Sequence, residues 1–137
     1  MKSKIEYAKR RLVREIKKNS HKAKVYLDDD QKMEALFLAF EKKLKLIPNI
    51  GNKAADIAAL LSMIRAYVKK QYTEIPVKTI LFAIGGLIYV VAPLDLVPDN
   101  IPGVGLLDDG KVLDIIRKSL HEDLVKYRKW QRDNGMI

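Results

Sequence analysis

Thr79–Leu94 reads TILFAIGGLIYVVAPL, sixteen consecutive residues without a charge, and its reading decides the fold. A helix that long covers about 24 Å, short of the roughly 30 Å hydrocarbon core of a bilayer. Gly85 and Gly86 weaken it as an isolated helix and open it to close helix packing. A helix that is apolar on every side must be buried, either in protein or in lipid. The length argument favours a protein core, so the segment is expected to be the central helix of a bundle, over about 76–91. A membrane-inserted or re-entrant helix is the competing expectation.

The flanking sequence supplies amphipathic helices to enclose it. Ile5, Ala8, Leu12, Val13 and Ile16 recur at helical spacing with Lys and Arg between them. Ser20–Lys24 is polar and is expected to break the chain. Asp28, Asp29 and Asp30 then precede a second stripe, Met33, Leu36, Phe37, Phe40 and Leu44, where acidic residues cap exposed amides. Pro48 and Gly51 punctuate the chain before a third stripe, Ile57, Leu60, Leu61, Ile64 and Val68, ending at Lys69 and Lys70. Thr73–Pro76 is the next break, with Pro76 suited to a first helical turn. Beyond the apolar segment, Pro93, Pro98 and Pro102 forbid regular helix as far as Gly105. A last helix, about Asp109–Trp130, carries Leu113, Ile116, Leu120, Leu124 and Tyr127. No strand pattern is present. The fold class is therefore all-α: a single compact bundle of about five helices in one domain, 1–137, without a sheet.

Composition narrows the function classes. The 137 residues hold no cysteine, which excludes disulfides and zinc–thiolate sites and fits a reducing, cytoplasmic setting. Met1–Asn19 alternates charge with apolar residues and does not read as a secretory signal. The net charge of +9 is unevenly placed. Residues 1–24 carry ten Lys or Arg against Glu6 and Glu15, whereas residues 79–109 carry none and four aspartates. The basic arm can meet the phosphates of an anionic membrane surface or of nucleic acid, or form a solvated helix face.

The stretch YVVAPLDLVPDNIPGVGLLDD, Tyr89–Asp109, is too particular for a generic loop. It resembles the signature of the YkvA-like family of bacterial domains of unknown function: an apolar helix, a Ser/Ala-Pro-Ile/Leu-Asp-Leu-Ile/Val-Pro-Asp stretch, Ile-Pro, a glycine turn and a pair of aspartates. The matching residues are Ala92, Pro93, Leu94, Asp95, Leu96, Val97, Pro98, Asp99, Ile101, Pro102, Gly103, Gly105, Asp108 and Asp109. Asn100 departs from the pattern, standing where an aromatic residue is common. The likeness covers most of residues 44–132, giving a YkvA-like region, 46–132, behind a basic N-terminal helical region, 1–45. The resemblance implies a helical structure and membrane association. It implies no catalytic activity, because the family has none to transfer.

Bare carboxylates in such apolar sequence are costly, so Asp95, Asp99, Asp108 and Asp109 need partners. Asp108 or Asp109 is expected to cap the last helix, and Asp99 with Asn100 to form a turn after Pro98. Pairing with Lys or Arg of the basic helices is the second expectation. A divalent cation such as Mg²⁺ or Ca²⁺ on the four aspartates is the weakest of the three, since the spacing is not that of a short calcium loop. In lipid, the aspartates would instead mark a polar boundary or a partner contact.

LIPNIGNKAADIAALL, Leu46–Leu61, is similar to the helix-hairpin-helix motif, whose Pro-Gly-apolar-Gly turn offers backbone amides to a DNA phosphate. Pro48, Ile50, Gly51, Lys53 and Ala55 fall in matching places, while Asn49 replaces the first glycine and a later apolar position is off by one. IPGVG at Ile101–Gly105 echoes IPNIG at Ile47–Gly51. Pro48, Asn49, Gly51 and Lys53 are thus the candidate phosphate contacts. His21 and His121 are the only histidines, and no nucleophile elbow, phosphate loop or metalloprotease pair occurs. The leading expectation is a non-enzymatic interaction module, cytoplasmic or membrane-associated, with no cofactor and an unknown protein partner. A DNA-binding protein is the alternative, and a metal-dependent enzyme on the loop aspartates the third.

Overall fold

The computed structural model describes the backbone of residues 2–47, 51–91 and 104–135, and side chains for 10–47, 51, 53–91 and 111–135. Among the described residues the chain forms six α-helices and one turn of 3₁₀ helix, without a strand. These are α1 (Lys2–Leu27), α2 (Asp30–Leu44), the 3₁₀ turn Gly51–Lys53, α3 (Ala54–Val68), α4 (Val77–Val91), α5 (Val104–Ser119) and α6 (His121–Asp133).

As far as Val91, the apolar segment is a core helix. Ile80, Ala83, Ile84, Leu87 and Val90 of α4 are fully buried, and no residue from 79 to 91 is exposed. Its most extensive partner is α1, followed by α2 and α5. The glycine pair sets how closely these helices approach. A Cβ at Gly85 would stand 2.7 Å from the Ile16 carbonyl oxygen and 2.9 Å from the Ser20 nitrogen, so the two backbones lie in direct contact. A Cβ at Gly86 would meet the end of the Ile116 side chain from α5. No helix among the described residues is long and apolar enough to cross a membrane.

Three expectations need correction. First, Ser20–Lys24 does not break the chain: α1 runs through it to Leu27. Ser20 Oγ donates to the Lys17 carbonyl and Asn19 Nδ2 to that of Glu15, so both polar groups are satisfied inside the helix. Ala23, fully buried one heptad beyond Ile16, continues the apolar stripe. Second, the last helix starts at Val104 rather than Asp109. Gly105 is tolerated in a first turn whose amides have no intrahelical acceptor. Asp108 and Asp109 therefore lie inside α5, past its first turn, rather than at its N-terminal boundary. Third, that helix is two: the chain bends at Leu120 (φ −105°, ψ 12°) while the Leu120 and Leu124 amides keep their bonds to the Ile116 and Leu120 carbonyls. The bend carries α6 onto α3, where Leu124 and Tyr127 are buried. The helix count of six rather than five follows from this bend.

The local signals upstream act as the sequence implies. Asp29 is the N-cap of α2, its carboxylate accepting from the Gln31 and Lys32 amides at 3.0 and 3.1 Å. Helix α3 closes in a Schellman arrangement, with the Gln71 amide bonded to the Ala66 carbonyl and the Lys70 amide to that of Tyr67. Lys70 takes the left-handed conformation that this closure requires, at φ 61°.

Candidate functional site

The basic arm forms one continuous exposed face. On α1 the buried Leu12, Ile16 and Ala23 point to the core, and Arg10, Arg11, Arg14, Lys17, Lys18, Lys22 and Lys24 are exposed. Of these seven, only Lys18 has a carboxylate partner among the described residues, Glu15 one turn back at 3.4 Å. His21 and Val25 lie within the same exposed face, and Val25 is 52% exposed. The face follows from helical periodicity: a stripe kept apolar for α4 leaves the other side of a Lys- and Arg-rich segment to solvent.

Most residues of the family signature lie beyond what the structure describes. Pro93, Asp95, Pro98, Asp99 and Pro102 fall outside the described residues. So do the side chains of Asp108 and Asp109, whose backbone, like that of Gly105, is helical in α5. The pairing and cation expectations for the four aspartates lie there too. Among the described residues, no three His, Asp or Glu side chains converge as metal ligands. At the edge of the signature, Lys43 of α2 is buried at 4% exposure and its ammonium donates to the Val90 carbonyl in the last turn of α4. A cation there offsets the negative end of the helix dipole where the signature begins.

The helix-hairpin-helix-like turn is only partly described. Pro48 and Asn49 lie outside the described residues, Gly51 is exposed, and Lys53 is held by α5. Its ammonium spans both Asp114 carboxylate oxygens at 2.8 and 2.9 Å. Asp114 also meets Arg117 at 3.4 Å, and Arg117 donates to Asp56 at 3.0 Å. Asp56 further accepts from Arg128 of α6 at 2.6 Å. Hydrogen bonds from Arg117 and then Arg128 hold the Asp56 carboxyl below the usual carboxylate range, and Asp56 in turn holds Arg117 charged. This chain of five charges clamps α3, α5 and α6 together and commits Lys53 to an internal partner.

Beside it lies a feature that sequence reasoning missed. Ser62 Oγ and Tyr127 Oη are 2.6 Å apart, and Gln131 Nε2 donates to both at 3.3 and 3.2 Å. Tyr127 stacks on Trp130 at 5.7 Å between ring centroids, and Tyr72 packs against both rings at 5.1 and 5.0 Å. Burial pushes the Tyr72 phenol above its ordinary value. The hydroxyl pair opens on a cleft of about 440 Å³ between α2, α3 and α6, which Arg65 and Lys69 also line. Tyr127 and Trp130 were visible in sequence as part of a helix end. Ser62 and Arg65 lie one turn apart on α3, and Gln131 joins them only where α6 packs on α3, so the cluster carries no local signal. His121 is exposed in the first turn of α6.

Comparison with known proteins gives two matches. A family model described as a protein of unknown function (DUF1232) matches residues 79–113, from α4 through the signature into α5. A Bacillus subtilis (strain 168) protein described as "Uncharacterized membrane protein YkvA" is 36% identical over 75 residues, which is 55% of this chain and 71% of that relative. No solved structure matches the chain.

Proposed function

The chain belongs to the YkvA-like family, and from that membership we propose that it is a non-enzymatic helical module held peripherally at an anionic membrane surface by α1. The observation that carries the proposal is the exposed face of seven cations, six of them without a carboxylate partner among the described residues. The description of the relative as a membrane protein supports the location. Burial of α4 among the other helices supports surface attachment over insertion. Each Lys or Arg near an anionic leaflet contributes about 1 kcal/mol, screened over about 10 Å at ordinary salt. Seven on one face supply a salt-sensitive attraction without any apolar insertion. The 26 residues of α1 offer a rod of about 39 Å to lie along that surface.

Vesicle co-sedimentation tests this. Phosphatidylglycerol-containing vesicles should carry the protein down at low salt, neutral phosphatidylcholine vesicles should not, and raising the salt should release it. The quadruple variant Arg10→Gln, Arg14→Gln, Lys17→Gln, Lys18→Gln should lose the association while melting as the wild type does. Equal recovery on neutral vesicles, or stronger salt-dependent binding to random duplex DNA than to anionic vesicles, would overturn it.

A further inference from the structure

We propose that the cleft between α2, α3 and α6 binds a small soluble ligand that carries a phosphate or carboxylate on a compact apolar body. The inference stands apart from the membrane proposal, since none of these three helices presents the basic face. The cleft volume of about 440 Å³ is that of a small-molecule site.

The charges on its wall are unbalanced. Arg65 and Lys69 stand one helical turn apart on α3, a spacing at which like charges repel. The one carboxylate on the wall, Glu41, reaches Arg65 Nη2 only at 3.4 Å. Across a smaller neighbouring cleft the same two cations face Asp30 and Glu34, and neither forms an ion pair with them. Arg65 is held in place by its stack on Phe37, 4.6 Å from guanidinium carbon to ring centroid. A planar, fixed guanidinium beside a second cation is the arrangement that recognises an oxyanion bidentately.

The polar triad supplies a second, directional element. Ser62 and Tyr127 have two hydroxyl protons between them. One is shared across their 2.6 Å contact, and the other has no acceptor among the described residues. Gln131 donates to both oxygens, so the spare proton must point elsewhere. It is free to donate to an ester, ether or acid oxygen of a ligand whose charged end lies on Arg65 and Lys69. Ala58, Leu61 and Ala66 complete the wall with an apolar surface for the body between these ends.

Trp130 is the sole tryptophan and stacks on Tyr127, so its emission reports on the cleft. Phenyl phosphate and benzoate serve as probes, with benzyl alcohol as the uncharged control. The full chain should show a saturable change in Trp130 emission and a rise in melting temperature with one or both anions, at affinities of about 1 mM or tighter. Lys69→Gln alters an exposed side chain and should weaken binding several-fold without moving the melting temperature of the free protein. Arg65→Gln should abolish it, and Ser62→Ala should weaken it while leaving the charged end intact. The proposal is overturned if neither anion gives a saturable response, if benzyl alcohol responds equally, or if Lys69→Gln binds as the wild type does.

Discussion

Replacing Gly85 with alanine should destabilise the protein, although alanine is the better helix former by about 1 kcal/mol. The added Cβ would lie 2.7 Å from the Ile16 carbonyl oxygen and 2.9 Å from the Ser20 nitrogen, both backbone atoms of α1. No rotamer change relieves a contact with backbone, so α1 must retreat by roughly 0.5 Å along its seam with α4. A gap of that size forfeits about a quarter of each dispersion well along the seam. Overpacking of this kind costs about 1–3 kcal/mol, and the fixed partners place this case at the upper end. The net loss after the helix-propensity gain is about 2 kcal/mol, or roughly 8 °C in melting temperature for a chain of this size. Gly86→Ala provides a graded comparison, because its Cβ would meet side-chain atoms alone, Cδ1 and Cγ1 of Ile116 and, at 4.0 Å, Cγ2 of Ile16. A rotamer shift costing about 1 kcal/mol accommodates it, nearly cancelling the propensity gain. Gly51→Ala, with nothing within 4 Å of the new Cβ, should gain about 0.5 kcal/mol by restricting the unfolded chain. Urea unfolding followed by far-ultraviolet circular dichroism ranks all three. A Gly85→Ala variant as stable as the wild type, or more stable than Gly86→Ala, would refute the backbone contact between α1 and α4.

Lys43→Met keeps the aliphatic volume but removes the ammonium from the Val90 carbonyl, and should cost about 1.5–3 kcal/mol in urea unfolding. Lys70→Gly relieves the left-handed backbone at φ 61° and should stabilise the fold by about 1 kcal/mol, seen as a higher melting temperature. Asp56 has its carboxyl held below the ordinary value of 3.8, so its contribution is complete above that pH and is lost as the pH falls through the lower folded value. Asp56→Asn should therefore be less stable than the wild type at neutral pH and show a shallower loss of stability on acidification below about pH 4, measured by thermal melts across pH.

What the sequence revealed and what it concealed divide along the range of the interactions. The stripes of α2 and α3, the Asp29 cap and the all-round apolar α4 were legible because each depends on neighbours within a few residues. Ser20–Lys24 misled because its polarity is real but local, whereas the reason α1 continues is Gly85, sixty-five residues away. The bend at Leu120 has no proline or glycine to announce it; it exists because α6 packs on α3 while α5 packs on α4. Lys53 matched a phosphate-binding turn, yet its nearest anion is Asp114 of α5. The cleft was invisible for the same reason, since Gln131 and Tyr127 of α6 meet Ser62 and Arg65 of α3 only after the two helices have docked.

The contact of Gly85 with α1 also bears on how this family divides its labour. The segment that the family model recognises, residues 79–113, contains most of α4 with its two glycines but not the helix that covers them. Here the chain carries its own cover, a basic rod whose inner edge seals the glycine groove while its outer edge stays charged. Any chain with the same glycine groove and no counterpart of α1 has bare helix backbone to shield, and a bilayer, a second subunit or a separate protein would have to do it. On that view α1 is an intramolecular stand-in for a binding partner. Deleting it should turn a self-contained bundle into one that seeks company.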